Sequence, residues 1–239
     1  MSSHDPLLAL LTAGTLELKG QFAWGSNYTF LVQVSAEDHV VPAVYKPARG
    51  ERPLWDFPDG SLAQREVAAY VVSRALGWDL VPPTVLRPDG PAGPGSLQLF
   101  VDADPERHYF SFSSEEKQRL RPAAAFDMLV NNADRKAGHV LLGAQGHLWL
   151  IDHGVCFHAE DKLRTVIWDF TGEAIPEDLL ADIRSFRRAL VHDAALQKEL
   201  GGLLLPEELA ALSTRANRLI RSRRFPSPGE GRPYPWPLV

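Results

Sequence analysis

The chain has 239 residues, 45% hydrophobic and 23% charged, enough for one large or two small packed lobes. A net charge of −5 and a pI near 5.9 give no basic footprint for a nucleic-acid partner and argue against a strongly cationic membrane-docking surface. A single cysteine, Cys156, excludes an internal disulfide framework and a four-cysteine zinc site. No charged n-region with a long apolar core and no run of ~18 apolar residues occurs, so the expectation is a cytoplasmic protein without a transmembrane segment.

Pro6–Thr12 is a short apolar segment of one or two helical turns. Thr15–Lys19 and Tyr28–Val34 alternate as strands do. Between them, the loop Gly20–Asn27 carries Gly25, Ser26 and Asn27, small residues that let backbone N–H groups approach a phosphate. It lacks a G-x-G-x-x-G pattern, so it reads either as a phosphate-covering hairpin or as a plain turn. Phe22 and Trp24 would fold over a nucleotide or pack on the lobe. Val40–Lys46 reads as a third strand, with Pro42 at an edge or at its beginning. Lys46 closes it, as a snorkelling end residue or as a phosphate ligand. Arg49–Gly60 is a loop.

Ser61 opens a helix to Leu76, stopped by Gly77. Glu66 lies near its start, where it serves the helix dipole or holds Lys46. Trp78–Leu86 is strand-like but interrupted by Pro82–Pro83. Arg87–Gly95 reads as a loop and Ser96–Val101 as a strand. The acidic connector Asp102–Tyr109 marks a lobe boundary, giving residues 1–101 and 102–239. A helix from Ser113 or Ser114 runs through Val130, with a kink or restart at Pro122. After the central motifs come a short apolar piece, Val166–Phe170, and one long helix, Pro176–Leu200. A last helix, Glu207–Arg221, precedes a tail from Pro226 that is extended or loosely docked.

The most informative stretch is Asn131–Leu141 with Leu150–Gly154. Asp134 and Asp152 flank a hairpin formed by Val140–Leu142 and His147–Ile151, which brings both carboxylates to one edge. Two carboxylates there suit phosphoryl transfer: one orients or deprotonates an attacking hydroxyl, and the other holds a divalent metal on nucleotide phosphates.

Five fragments in order resemble the phosphatidylinositol 3-/4-kinase superfamily. They are Val44–Pro47, Gln64–Tyr70, Gly95–Val101, Asn131–Arg135 and Ile151–Cys156. The resemblance is nearest to type II and plant gamma-type phosphatidylinositol 4-kinases and to the small actinobacterial proteins of that group. HipA-type toxin kinases share the broader pattern. The resemblance implies a two-lobed α+β, protein-kinase-like fold, with a small antiparallel sheet and one helix followed by a mainly helical lobe. It implies ATP with magnesium or manganese as cofactors. Lys46, paired with Glu66, would contact the phosphates, and Ser26 with neighbouring backbone would cover them. Gln98, Leu99, Phe100 and Val101 would form the hinge beside the adenine. Asp134 would be the catalytic carboxylate and Asp152 the metal ligand.

Two positions depart from the family pattern. His139 stands where the family places an asparagine that ligates a second metal, which predicts weaker magnesium use and relative preference for manganese if the imidazole coordinates. Lys136 replaces a histidine or glycine, and either helps neutralise the transferred phosphate or sits in solvent. Val155–Phe170 holds only Lys162 and Arg164 as cations, few for a phosphoinositide headgroup. The acceptor therefore stays open among protein, lipid and small molecule. The alternatives to an active kinase are a nucleotide-binding pseudokinase and a non-catalytic interaction module.

Overall fold

Strand alternation in the first third builds a five-stranded antiparallel sheet. A computed structural model of the chain describes residues 6–22, 28–229 and 231–239. Helix α1 (Pro6–Ala13) leads into strands β1 (Thr15–Gln21), β2 (Phe30–Ala36) and β3 (His39–Pro47). After helix α2 (Leu62–Leu76), strands β4 (Thr84–Gly90) and β5 (Gly93–Leu99) complete the sheet, in the order β1-β2-β3-β5-β4. The inward residues Val32, Val34, Ala43, Tyr45 and Leu97 alternate along their strands and close on Leu11 of α1 as one small core. Gly25, Ser26, Asn27 and Trp24 lie outside the described residues.

The stretch Arg87–Gly95, which reads as a loop, instead forms most of the β4–β5 hairpin. Its prolines and glycines mimic a loop, yet Leu86 pairs with Ser96 and Arg87 with Gly95 across the ladder. The buried Arg87 guanidinium donates to the carbonyls of Leu11 and Gly14 at 3.0 and 2.9 Å, a long-range anchor that local pattern does not reveal. Gly95 is needed where β5 crosses β3: a Cβ there would collide with the Lys46 carbonyl. In Trp78–Leu86 only Thr84 onward joins the strand.

Helix α2 ends on Gly77 at φ +71°, a left-handed position that glycine occupies without strain. Its start is capped from a distance. The Ser61 hydroxyl donates to Pro58 O, and the Glu51 carboxylate accepts the N–H groups of Leu62 and Ala63 at 3.2 and 3.1 Å. Although α2 precedes the connector, its buried residues belong to the larger core with the C-terminal helices. Arg65 on α2 is also buried there. It donates to Cys156 O at 2.7 Å and to Glu208 Oε1 at 2.5 Å.

The helical part holds α3 (Ser114–Gln118), α4 (Arg121–Val130), a small hairpin of β6 (Val140–Leu142) and β7 (Leu148–Leu150), then α5 (Glu177–His192), α6 (Ala194–Gly201) and α7 (Pro206–Ser222). The helix expected over 113–130 is thus two helices, restarting at Pro122 in the first turn of α4. The single helix expected over Pro176–Leu200 is also two. Asp193 breaks it in an extended conformation and caps α6, its carboxylate accepting Ala195 N–H at 2.9 Å and Leu196 N–H at 3.2 Å. Asp193→Ala is expected to cost about 1 kcal/mol, read as a lower urea midpoint at unchanged slope.

The tail is docked rather than loose. Phe225 is buried, and further along the chain Pro233 O and Leu238 O accept the N–H groups of Thr165 and Ala137 at 3.1 and 2.8 Å. No helix among the described residues is long and apolar enough to cross a membrane.

Candidate active site

Lys46 is the penultimate residue of β3, and its ammonium donates to Glu66 Oε1 at 2.5 Å and to Asp152 Oδ1 at 2.9 Å. The other Glu66 oxygen accepts the His153 N–H at 2.9 Å. One carboxylate on α2 therefore holds both the strand lysine and the turn that carries Asp152. Asp152 itself sits at φ +62°, a left-handed conformation that aspartate tolerates better than most residues.

Charge reinforces the geometry. Burial alone would lower the Lys46 pKa, but Asp152 and Glu66 outweigh it and hold the ammonium above the ordinary lysine range. Burial likewise works against the Asp152 carboxylate, and the Lys46 ammonium overrides it, keeping Asp152 ionised well below the usual carboxylate range.

His139 faces the same carboxylate, with Nε2 3.2 Å from Asp152 Oδ2. Burial, and then the Arg135 and Lys136 cations against the pull of Asp152, push its pKa down to about 4. His153 is fully buried and is also pushed down, by burial first. Between about pH 6.5 and 4 the unfolded chain binds protons that these native imidazoles refuse, so stability falls as pH falls through that window. Each neutral buried imidazole costs up to ~1.4 kcal/mol per pH unit there. The expected result is a urea midpoint that drops from pH 7 to pH 5 and drops less in His139→Asn.

Asp134 forms a second centre beside this one. The Lys136 ammonium donates to its Oδ2 at 2.7 Å, and its own N–H donates to Asn132 Oδ1 at 2.9 Å. Burial raises the Asp134 pKa, the Lys136 charge partly offsets this, and the Asp152 charge adds to the rise.

Residues without an assigned role in the sequence hold these centres in place. Arg135, fully buried, donates from Nε to both Asp127 oxygens at 3.1 Å, and its Nη2 lies 3.0 Å from Oδ1. It also donates to Ile151 O at 2.7 Å and reaches His153 Nε2 at 2.7 Å. One guanidinium thus spans from the residue after Asp134 to both neighbours of Asp152. Asn131 closes α4 at φ +56°, and its side chain ties the loop to His158 O, Glu160 O and Lys162 N–H. The Asn131–Arg135 motif was visible in the sequence, but nothing local indicated that its asparagines and arginine point inward.

The hinge segment is less open than the sequence implies. Gln98 is buried, with its amide on Thr84 Oγ1 at 2.9 Å. The N–H groups of Leu99 and Phe100 are committed to Pro83 O and Pro42 O at 2.9 and 3.1 Å. Val101 follows them and lies near Gly143 at the β6–β7 turn. Beyond Asp152, Lys162 is held by Asp56 at 3.0 Å, with its ammonium 5.0 Å from the Trp55 ring centroid.

A sheet carrying a lysine, a helix-borne glutamate bound to it, and a helical remainder carrying two loop aspartates define a protein-kinase-like fold. The chain superposes on the Golgi casein kinase with a TM-score of 0.51 at 17% identity, covering 92% of this chain and 73% of that one. It superposes on hydra Fam20 with a TM-score of 0.53 at 14% identity, covering 93% and 90%. For the Helicobacter pylori proinflammatory kinase CtkA the TM-score is 0.55 at 12% identity, covering 90% and 94%. No family model matches the chain. The chain belongs to the family of protein Rv2133c of Mycobacterium tuberculosis, to which it is 40% identical over 272 aligned residues, covering 99% of this chain and 97% of that one. It is also 33% identical over 133 residues to phosphatidylinositol 4-kinase gamma 4 of rice, covering 48% of this chain but 24% of that protein.

Proposed function

We propose that the chain is an ATP-dependent phosphotransferase of the phosphatidylinositol 3-/4-kinase type, acting on a hydroxyl acceptor. The observation that carries this reading is Lys46 held between Glu66 and Asp152, with Asp134 close enough to Asp152 to feel its charge. In this reading residues 1–101 and 102–239 face each other across the nucleotide. Lys46 contacts the phosphates, Glu66 fixes Lys46, and Gly25, Ser26 and Asn27 cover the phosphates. The segment Gln98–Val101 flanks the adenine. Because the Leu99 and Phe100 amides are engaged, Val101 is the residue we assign to the base.

Asp134 orients the acceptor hydroxyl and takes its proton, a task its raised pKa suits. Lys136 holds Asp134 and adds positive charge beside the transferred group. The residues fit a divalent ion. Asp152 presents a half-exposed carboxylate, and His139 lies next to it with a neutral ring. Among the described residues no group of three or more His, Cys, Asp or Glu could hold a metal. An ion here would take one or two protein ligands and complete its shell with water and phosphate oxygens, as magnesium usually does. Bound there, it would neutralise charge on the phosphates. His139 as a ligand favours manganese over magnesium.

A second reading, a nucleotide-binding pseudokinase, is favoured by His139 in the family's asparagine position. Thermal stabilisation by ATP with each metal separates the readings. ATP at a hundredfold excess over its dissociation constant is expected to add ~2.7 kcal/mol. The kinase reading expects a larger shift with manganese than with magnesium, and loss of the metal-dependent part in Asp152→Ala. A shift indifferent to metal supports the pseudokinase. No shift with any adenine nucleotide supports the interaction module.

A further inference from the structure

A surface pocket of about 300 Å³ lies where three segments tied to the residues just after Asp134 meet. Three segments border it, and it opens to solvent. One is the turn Tyr109–Ser111, which packs on the turn Ala137–His139 directly after Lys136. The second is the stretch after Asp152, whose Val166 donates its N–H to Arg135 O at 3.2 Å and whose Trp168 and Asp169 face the pocket. The third is the tail, where Tyr234 and Leu238 line a further side and Leu238 O accepts the Ala137 N–H at 2.8 Å. Each wall is thus tied to the residues immediately following Asp134.

The lining is chemically one-sided. Tyr109, Phe110, Trp168 and Tyr234 contribute four aromatic rings, and Asp169 contributes the single charge, with no lysine or arginine among the lining residues. Tyr109 donates its hydroxyl to Asp169 Oδ2 at 2.5 Å, which fixes the carboxylate at the wall. Tyr109 also already attracts a cation, since the Lys117 ammonium stands 4.5 Å from its ring centroid. An anion in this pocket would be repelled by Asp169, and a neutral apolar group would cover the carboxylate oxygen that Tyr109 does not engage without pairing its charge. A cation satisfies both the carboxylate and the ring faces.

We propose that this pocket binds an organic ammonium group carried by the phosphate acceptor, with the tail forming part of the site. Calling the bound molecule the acceptor rests on the phosphotransferase reading; the binding itself does not.

The test is binding by NMR titration of choline against 3,3-dimethyl-1-butanol, its neutral isostere, on wild type, Asp169→Asn and Trp168→Ala. A parallel arm uses a serine peptide with a neighbouring lysine against the same peptide with norleucine. The expected result is at least a tenfold preference for the cationic member in one arm, about 1.4 kcal/mol, lost in both variants. The arm that shows it identifies the source, small molecule or protein. Equal binding of cation and isostere in both arms overturns the proposal, as does a preference that survives both substitutions. Stabilisation by ATP, measured on the same samples, reports the nucleotide cleft separately. Its loss in wild type counts against the phosphotransferase reading and leaves the ammonium result to be judged alone.

Discussion

Asp152→Ala and Asp134→Asn are each expected to lower γ-phosphate transfer by ~10³-fold or more, for different reasons. Removing Asp152 deletes the carboxylate proposed to hold the ion and releases Lys46 from one of its two partners. Removing the charge of Asp134 leaves a side chain of the same shape that accepts no proton from the acceptor. Losses of this size are typical when one electrostatic contributor to a transition state is removed. The fold should survive both changes. Asp152 is half-exposed and Lys46 keeps Glu66, and in Asp134→Asn the amide oxygen still accepts from the partly exposed Lys136 ammonium. The discriminating measurement is ATP turnover beside nucleotide binding measured with and without the divalent metal. Asp134→Asn should bind metal and nucleotide as wild type does, whereas Asp152→Ala should lose the metal-dependent part. Full activity in both variants would sink the role assignment.

Arg135→Ala is expected to be the most destabilising single substitution near the site. Arg135 and Asp127 are both fully buried, and Asp127 also accepts from Asn132 Nδ2 and Thr165 Oγ1, each at 3.2 Å. Removing the guanidinium strands a carboxylate in a dry interior, a loss of roughly 3–5 kcal/mol. In a chain of this size that amounts to roughly 10 °C or more in Tm. The paired change Asp127→Leu with Arg135→Met is expected to recover part of the stability, because no charge is then left unpaired, but not the activity. Arg135 holds the Ile151 carbonyl and the His153 ring on either side of Asp152, and no apolar side chain replaces those bonds. A loss below about 1 kcal/mol in Arg135→Ala would show that the network is not the frame of the site.

Local pattern was enough to place Lys46 at a strand end, Glu66 at a helix start and a hairpin between Asp134 and Asp152. Each of these depends on alternation, on helical spacing or on a short turn, all carried by neighbours in sequence. The kinase-like character of the fold came from the family resemblance of five short fragments and not from these local signals.

Several features depended instead on partners far along the chain. Gly, Pro and Asp in Arg87–Gly95 signal a loop, and only the ladder with Lys46–Pro47 and the buried Arg87 make it a hairpin. The apolar stripe from Leu179 to Leu200 continues through Asp193, so periodicity alone could not place the break that Asp193 caps. Glu51 capping α2, Arg65 bound to Glu208, and the tail bound to Ala137 and Thr165 all join residues that no local window contains together. The candidate site divides the same way. The side chains proposed to carry its chemistry stand in short motifs, because phosphate and proton chemistry requires particular groups. How they are held was decided by tertiary structure: nothing in the local sequence marks Arg135, Asp127 and His153 as buried, and burial is what makes their hydrogen bonds obligatory.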